Sequence, residues 1–378
     1  MRTFGVEEEL LLVDAGTGVP LPVAALVLAA HANSAAGPPG IGLEAEMQQE
    51  MIEVVTSPHA RLDALADQVR AGRSYADALA AGAGARAVAL AMSPMPVAPH
   101  ATEKARYATM MQRYGVTARR SLACGMHTHV SISSRDEGVA VLDRIRAWLP
   151  VLIALAANSP FAEGADTGHA SHRSIAWGEW QCAGGNEIFG SVEAYDALEE
   201  QLVASEVILD SGMLYFDARL SRSHPTVEIR VADTCLRAED TASLAALTRA
   251  LVDTAAAEWR AGVPPIAAPA ALVRLATWQA AMCGVRGQLV HPVSGRPEPA
   301  RAVVDALIAH VRASLARTGD VDAVVTGVER IFGEGTGADV LRGFLAQTGR
   351  MAEVVARAIE RTHATWRPLG ARLDTRPA

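Results

Sequence analysis

The 378-residue chain has almost no lysine: Lys104 stands alone among 34 lysines and arginines. A P-loop needs a Gly-Lys-Ser/Thr step to reach phosphates, so that way of holding a nucleotide is closed. Arginines, backbone donors or metal ions would have to do it instead. Basic runs are missing as well. Asp and Glu number 42, the net charge is −8, and no cationic stripe offers a nucleic acid a surface. The four cysteines, Cys124, Cys182, Cys235 and Cys283, are far apart and form no C-x-x-C pair. That excludes a disulfide framework and a zinc knuckle. The longest apolar run, Ala147 to Ala157, is too short to span a bilayer. Three carboxylates, Glu7, Glu8 and Glu9, stand where a secretion signal needs its apolar stretch. The expectation is a soluble cytoplasmic protein with reduced thiols and with neither nucleic acid nor membrane as partner.

Apolar material is plentiful. Half the residues are hydrophobic and 20% are charged, enough for a large core in one big or two ordinary domains. Alternation and β-branched content predict strands over 4–13, 51–56, 86–92, 124–133 and 226–231. Helical spacing predicts helices over 22–36, 61–81, 102–114, 139–157 and 192–207. Residues 159–190, Gly-rich with interspersed Trp177, Trp180 and Phe189, read as a long functional loop. Beyond residue 240 the strand signal disappears, and Ala-rich helices are expected over 240–261, 269–282, 298–317, 321–331 and 336–363. Without regular βαβα alternation, the class expected is α+β with an antiparallel sheet.

Acids sit inside the strands. In 4–13, alternation puts Val6, Glu8, Leu10 and Leu12 on one face, and Glu7, Glu9, Leu11 and Val13 on the other. Glu53 lies in Met51-Ile52-Glu53-Val54-Val55-Thr56 with no charged neighbour. His127 and His129 point to one side of their strand, and Glu228 shares a face with Arg230. Each alone reads most plainly as a solvated strand end, a hydrogen-bonded core histidine or a Glu–Arg pair. As a set they ask for a cation, because several buried carboxylates close together are very costly unless neutralised. An oxygen-rich basin with one or two imidazoles suits Mg²⁺ or Mn²⁺ better than zinc. Divalent ions with strand arginines can hold a triphosphate without a P-loop lysine.

Several segments occur in a characteristic order: Phe4-Gly5-Val6-Glu7-Glu8-Glu9, Glu53-Val54-Val55-Thr56, Gly125-Met126-His127-Thr128-His129-Val130 and Ala156-Ala157-Asn158-Ser159-Pro160-Phe161. They are followed by Asp166-Thr167-Gly168, the run Pro225 to Asp233 and, late, Gly335-Thr336-Gly337-Ala338-Asp339. Together these resemble the carboxylate–amine ligase family of the glutamate–cysteine ligase 2 type, over nearly the whole chain. The resemblance implies a glutamine synthetase-like fold: a curved antiparallel β-sheet flanked by helices, with nucleotide and metals on its concave face and a helical C-terminal part. A catalytic region over 1–262 with a helical region over 263–378 packed on it is expected, and the apolar surface of the Ala-rich helical half makes a homodimer the default expectation for such an enzyme. The implied reaction uses ATP and Mg²⁺ (or Mn²⁺) to phosphorylate the side-chain carboxylate of glutamate, and an amine then attacks the acyl phosphate. By the same resemblance Glu7, Glu9, Glu53, His127 and Glu228 are the metal ligands, with His129 a weaker candidate. Arg230 faces the transferred phosphoryl group, and Arg173 contacts substrate or phosphate.

Some positions depart from the family pattern: Met51, His172, Gln181 to Asn186, Trp278 to Met282, and Val340-Leu341. The metal basin is intact while the groups that would read the substrates have changed, so cysteine is not assured as the amine. Two other readings stand beside the ligase. One is a metal hydrolase built on His127-Thr128-His129; the other is a non-catalytic relative that binds a nucleotide or metabolite.

Overall fold

The computed structural model describes residues 1–34 and 37–364. Ala35 and Ala36, at the end of the first expected helix, and residues 365–378, at the end of the expected C-terminal region, lie outside the described residues.

Strand β1 (Phe4–Val13) organises the sheet. Its alternation buries both faces, so it lies in the middle, as a strand apolar on both sides must. The other strands of this sheet are β2 (Ile41–Ala45), β3 (Met51–Thr56), β4 (Arg86–Val88), β5 (Gly125–Ser131), β8 (Ala218–Leu220) and β9 (Thr226–Asp233). Between β5 and β9 comes a two-residue ribbon, β6 (Phe161–Ala162) with β7 (Ala165–Asp166). The sheet order is β2-β3-β1-β5-β9-β8, every pair antiparallel; β4 joins the end of β1 that β5 leaves free. The fold is therefore α+β with an antiparallel sheet, as expected.

One face of the sheet packs on the helices Leu62–Gly82 and Ala238–Arg260. Val6, Met126, Val130, Val227 and Ile229 meet Leu65, Val69, Leu247 and Leu251 there. Gly72 lets the first helix approach closely, since a Cβ at that position would stand 2.6 Å from Val54 Cγ1. Glu8 also points into this layer, and Arg73 meets it at 2.6 Å with both side chains almost wholly buried. Thr241 donates a further hydrogen bond to Glu8, and Arg73 donates to the Cys235 carbonyl.

Several expectations are corrected. The helix expected over 139–157 is two, Arg135–Ile145 and Leu149–Ala156. Pro150 has no N–H to give a continuing ladder, and it sits in the first turn of the second helix, where none is needed. The loop expected over 159–190 contains the helix His172–Trp177. The helix expected over 336–363 breaks at Gly349, whose φ of 65° ends Gly337–Thr348 before Met351–Thr362 begins. Strands β2 and β8 were not expected, and a small ribbon, Gln288–Val290 with Pro297–Pro299, interrupts the helical part. Among the described residues no helix is long and apolar enough to cross a membrane.

The late helices Ala270–Cys283 and Ala300–Thr318 pack against Leu149–Ala156 and Ala238–Arg260. One buried apolar cluster runs from Phe4 to Ile331.

Candidate active site

The second face of the sheet is where the other set of β1 side chains points. Cross-strand partners in an antiparallel pair share a face, and the register puts Glu9 opposite Glu53, with Glu44 on the far side of Glu53. Glu7 is opposite His127, and His129 is opposite Glu228, which in turn faces Arg219. A shift in the β5–β9 register between Met126 and Thr128 brings His129 into line with Glu228.

These side chains line a cavity of about 680 Å³. Six glutamates face it: Glu7, Glu9, Glu44, Glu46, Glu53 and Glu228. Arg230, His127 and His129 line it too, so of the residues the sequence singled out only Arg173 is absent from its wall. Arg106, Arg219 and Arg222 close the cavity on the side of β8, and Tyr107, Trp177 and Tyr215 give it aromatic walls.

Three sets of donors lie close enough to share a cation, each with its ligand atoms within 4.8 Å of one another. They are Glu7, Glu53 and His127; Glu7, His129 and Glu228; and Glu9, Glu46 and Glu53. Oxygen dominates each set and no set has two imidazoles, which fits Mg²⁺ or Mn²⁺ and not the His-rich tetrahedron of a zinc hydrolase. His224 also lines the cavity, but its ring centroid is 6.4 Å from that of His129, and it belongs to none of the three sets.

The electrostatics test whether such ions fit. Burial and the charges of Glu46, Glu7, Glu9 and Glu44 push the Glu53 carboxyl well above its usual range. Burial also lifts Glu9 to about 8, with Glu46 adding to the rise while Arg173, the Gly125 N–H and Arg230 oppose it. Glu46 is raised by burial too. Carboxylates that resist ionising together are what a divalent cation would neutralise. At Glu7 burial is outweighed by hydrogen bonds and charge from the two histidines, and its pKa falls. His129 Nε2 lies 3.1 Å from Glu7 Oε1, and His127 Nδ1 lies 3.4 Å from Glu7 Oε2. Burial and the Arg230 charge lower His127 to about 4, leaving a neutral imidazole able to ligate.

Glu228 is held differently. Arg219 grips it in a two-pronged pair at 2.7 and 3.2 Å, and Arg230 also contacts it. Despite burial these arginines keep its pKa low. Arg230 extends over the face of Trp177, 5.9 Å from the ring centroid.

Arg173 is buried beside the cavity, on the far side of Gly125. A Cβ on Gly125 would stand 2.1 Å from Arg173 Nη2, so only glycine fits there. Its helix is anchored by Asp233, whose carboxylate accepts hydrogen bonds from Ser159, Ser171 and the Asn158 N–H at 2.7–2.8 Å. Ser159 then accepts from the Arg173 N–H. The segments around Asn158 and Asp233 thus build the turn that carries Arg173. The Gly335–Asp339 segment docks on the same turn: a Cβ at Gly337 would stand 2.1 Å from Asn158 Oδ1.

Sequence reasoning missed Glu44, Glu46 and Arg219. The first two come with the unexpected strand β2. A clue was present, since Leu43-Glu44-Ala45-Glu46 alternates as β1 does.

A model of the glutamate–cysteine ligase family 2 matches residues 3–360. The chain is 47% identical over 369 residues to "Putative glutamate--cysteine ligase 2-1" of Paenarthrobacter aurescens, covering 96% of this chain and 95% of that one. It is 47% identical over 364 residues to "Putative glutamate--cysteine ligase 2" of Streptomyces coelicolor, covering 96% and 100%. Among solved structures, a glutamate–cysteine ligase from Francisella tularensis in complex with AMP aligns with a TM-score of 0.65 at 13% identity, over 96% of this chain and 89% of that chain. The complex of the ubiquitin-like protein Pup with its ligase PafA aligns at 0.53 and 14% identity, over 94% and 71%. At such identities these structures establish the fold, a glutamine synthetase-like antiparallel sheet flanked by helices. The chain belongs to the glutamate–cysteine ligase family 2 and is an ATP-dependent ligase.

Proposed function

We propose that the protein joins the side-chain carboxylate of glutamate to an amine through an acyl phosphate, using ATP with Mg²⁺ or Mn²⁺. The observation that carries this is the convergence of six glutamates from four strands and the segment after β2 on one cavity, with Arg230 among them. A carboxylate oxygen of glutamate attacks the terminal phosphorus of ATP, and ADP leaves. The amine nitrogen then attacks the acyl carbon, phosphate departs, and the nitrogen gives up a proton.

The metal, when bound, supplies positive charge and a template for the phosphoryl oxygens. Glu7, Glu9, Glu53, His127 and Glu228 are the ligands we assign to it, joined by Glu46 and His129 from the three donor sets. Arg230 places its guanidinium toward the transferred group, where it offsets the charge that develops there. Trp177 supports that guanidinium, and Arg219 fixes the Glu228 carboxylate. The aromatic wall of Tyr107, Trp177 and Tyr215 limits water around the acyl phosphate.

The test is ADP release from ATP, Mg²⁺ and glutamate across a panel of amino acids and amines. Sustained ADP turnover should require metal, glutamate and one amine together, with no more than about one equivalent per site formed when the amine is left out. Glu228→Gln should lower that rate by about 100-fold or more, the scale expected when a group that stabilises the transition state is lost. Continuing release over many turnovers without glutamate or without an amine, or a Glu228→Gln enzyme of normal rate, would overturn the assignment.

A further inference from the structure

Over residues 101–122 the chain carries five cations, Lys104, Arg106, Arg113, Arg119 and Arg120, and a single acid, Glu103. The segment forms the helices Ala105–Arg113 and Val116–Arg120. Its inner side belongs to the wall of the acidic cavity through Arg106, Tyr107, Met110 and Ser121. Of the five cations only Arg106 has an ion pair among the described residues, with Asp210 at 2.9 Å. Lys104, Arg113, Arg119 and Arg120 are exposed and have none. Other exposed arginines do have carboxylate partners: Arg61 has Asp63, Arg135 has Asp196, Arg301 has Asp305 and Arg317 has Asp253. The wall segment therefore presents an uncompensated positive surface on a chain whose net charge is −8.

That surface runs into the cavity. Arg113 follows Arg106 by seven residues, two helical turns, so the two lie on one face of the helix about 10 Å apart. At the rim Arg106 comes together with Arg222: a Cβ on Gly212 would stand 3.3 Å from Arg106 Nη2 and 3.5 Å from Arg222 Nη1. Arg222 is itself exposed, lines the cavity and has no ion pair among the described residues. Burial raises the Glu46 carboxyl, and Arg230 and Lys104 are among the groups that oppose the rise, so the Lys104 charge is felt inside. Six glutamates against four arginines line the cavity, which makes its field unfavourable to an approaching anion. A patch of opposite sign beside the mouth offsets this within a Debye length, about 10 Å at 0.1 M salt. Patches of this kind raise association rates by about 10- to 1000-fold.

We propose that Lys104, Arg113, Arg119 and Arg120 form an electrostatic entry surface that draws the anionic nucleotide to the rim at Arg106 and Arg222. The inference rests on ATP being held in the acidic cavity. The four outer cations lie outside the cavity lining, so they act on the rate of arrival and not on the rate of departure.

The experiment is stopped-flow binding of a fluorescent ATP analogue with Mg²⁺ to the full chain, between about 0.01 and 0.3 M salt. Wild-type association should slow as salt rises, by about tenfold across that range. Its sign is diagnostic, because repulsion by the net charge and the glutamates would make association faster as salt screens it. The triple variant Arg113→Gln, Arg119→Gln, Arg120→Gln should associate about 3- to 10-fold more slowly at low salt, with a flatter salt dependence and an unchanged dissociation rate. A second triple variant, Arg296→Gln, Arg312→Gln, Arg350→Gln, has the same net charge, and none of its positions lines the cavity. It should associate at the wild-type rate. Association that quickens with salt in the wild type, or equal rates in the two variants, overturns the proposal. A loss expressed in dissociation would place the arginines in contact with the nucleotide and overturn it too. Those results leave ATP in the cavity, whereas no binding of the analogue under any condition would overturn that site and this inference with it.

Discussion

Glu53 stands between two other glutamates, Glu9 across one strand boundary and Glu44 across the other. Like charges in directly opposed positions destabilise a sheet, and here burial enlarges the effect. Glu53→Gln should therefore raise the melting temperature of the metal-free protein by about 1–4 °C, while the rise that Mg²⁺ with ATP gives the wild type should shrink. Scanning calorimetry with and without MgCl₂ and ATP reads both. A variant still stabilised by Mg²⁺ as strongly as the wild type would remove Glu53 from the ligand set. At this scale much was legible. Glu7, Glu9, Glu53, His127, Glu228 and Arg230 could be placed on strand faces from alternation alone, because a period of two fixes the side on which each residue projects. Arg173 shows the limit. Its sequence neighbourhood gave a plausible substrate contact but not its position, which depends on how Asp233, Ser159 and Ser171 fold the turn around it.

Elements on the opposite side of the sheet are joined by a different kind of pair. Glu8 of β1, Arg73 of helix Leu62–Gly82 and Thr241 of helix Ala238–Arg260 meet in a layer that is otherwise apolar. Removing one partner leaves a buried charge uncompensated, so Arg73→Met should cost about 3–5 kcal/mol in urea unfolding. The double variant Glu8→Leu with Arg73→Met should recover most of that loss. Since Arg73 touches none of the cavity's ligands, the double variant should keep its Mg²⁺-dependent stabilisation. Loss without recovery in the double variant would contradict this reading. Long elements were legible: β1 matches its expected bounds, and Leu62–Gly82 and Ala238–Arg260 fall within two residues of theirs. Short ones were not. Ile41–Ala45 spans five residues with Gly42 among them, and Ala218–Leu220 spans three, too few for a period to register. Tertiary pairing holds such strands in place, and with them came Glu44, Glu46 and Arg219.

At the scale of the whole molecule, the residues assigned to metal and phosphate lie more than 200 positions apart in sequence, from Glu7 to Arg230. One sheet brings them together, and a continuous apolar cluster keeps the late helices packed on the same body. The Gly335–Asp339 segment contributes by docking on the Asn158 turn, and Leu341, where the family pattern differs, is buried in a core cluster beside Val354 and Val355. The proposed activity requires the acidic cavity to be a cation site through which ATP is held. Mn²⁺ binding followed by electron paramagnetic resonance tests this most directly. Wild-type protein should bind Mn²⁺ more tightly when ATP is present, and Glu53→Gln should weaken that binding by about 10-fold or more. Equal Mn²⁺ affinity in the wild type and Glu53→Gln, or no effect of ATP on it, would contradict the account.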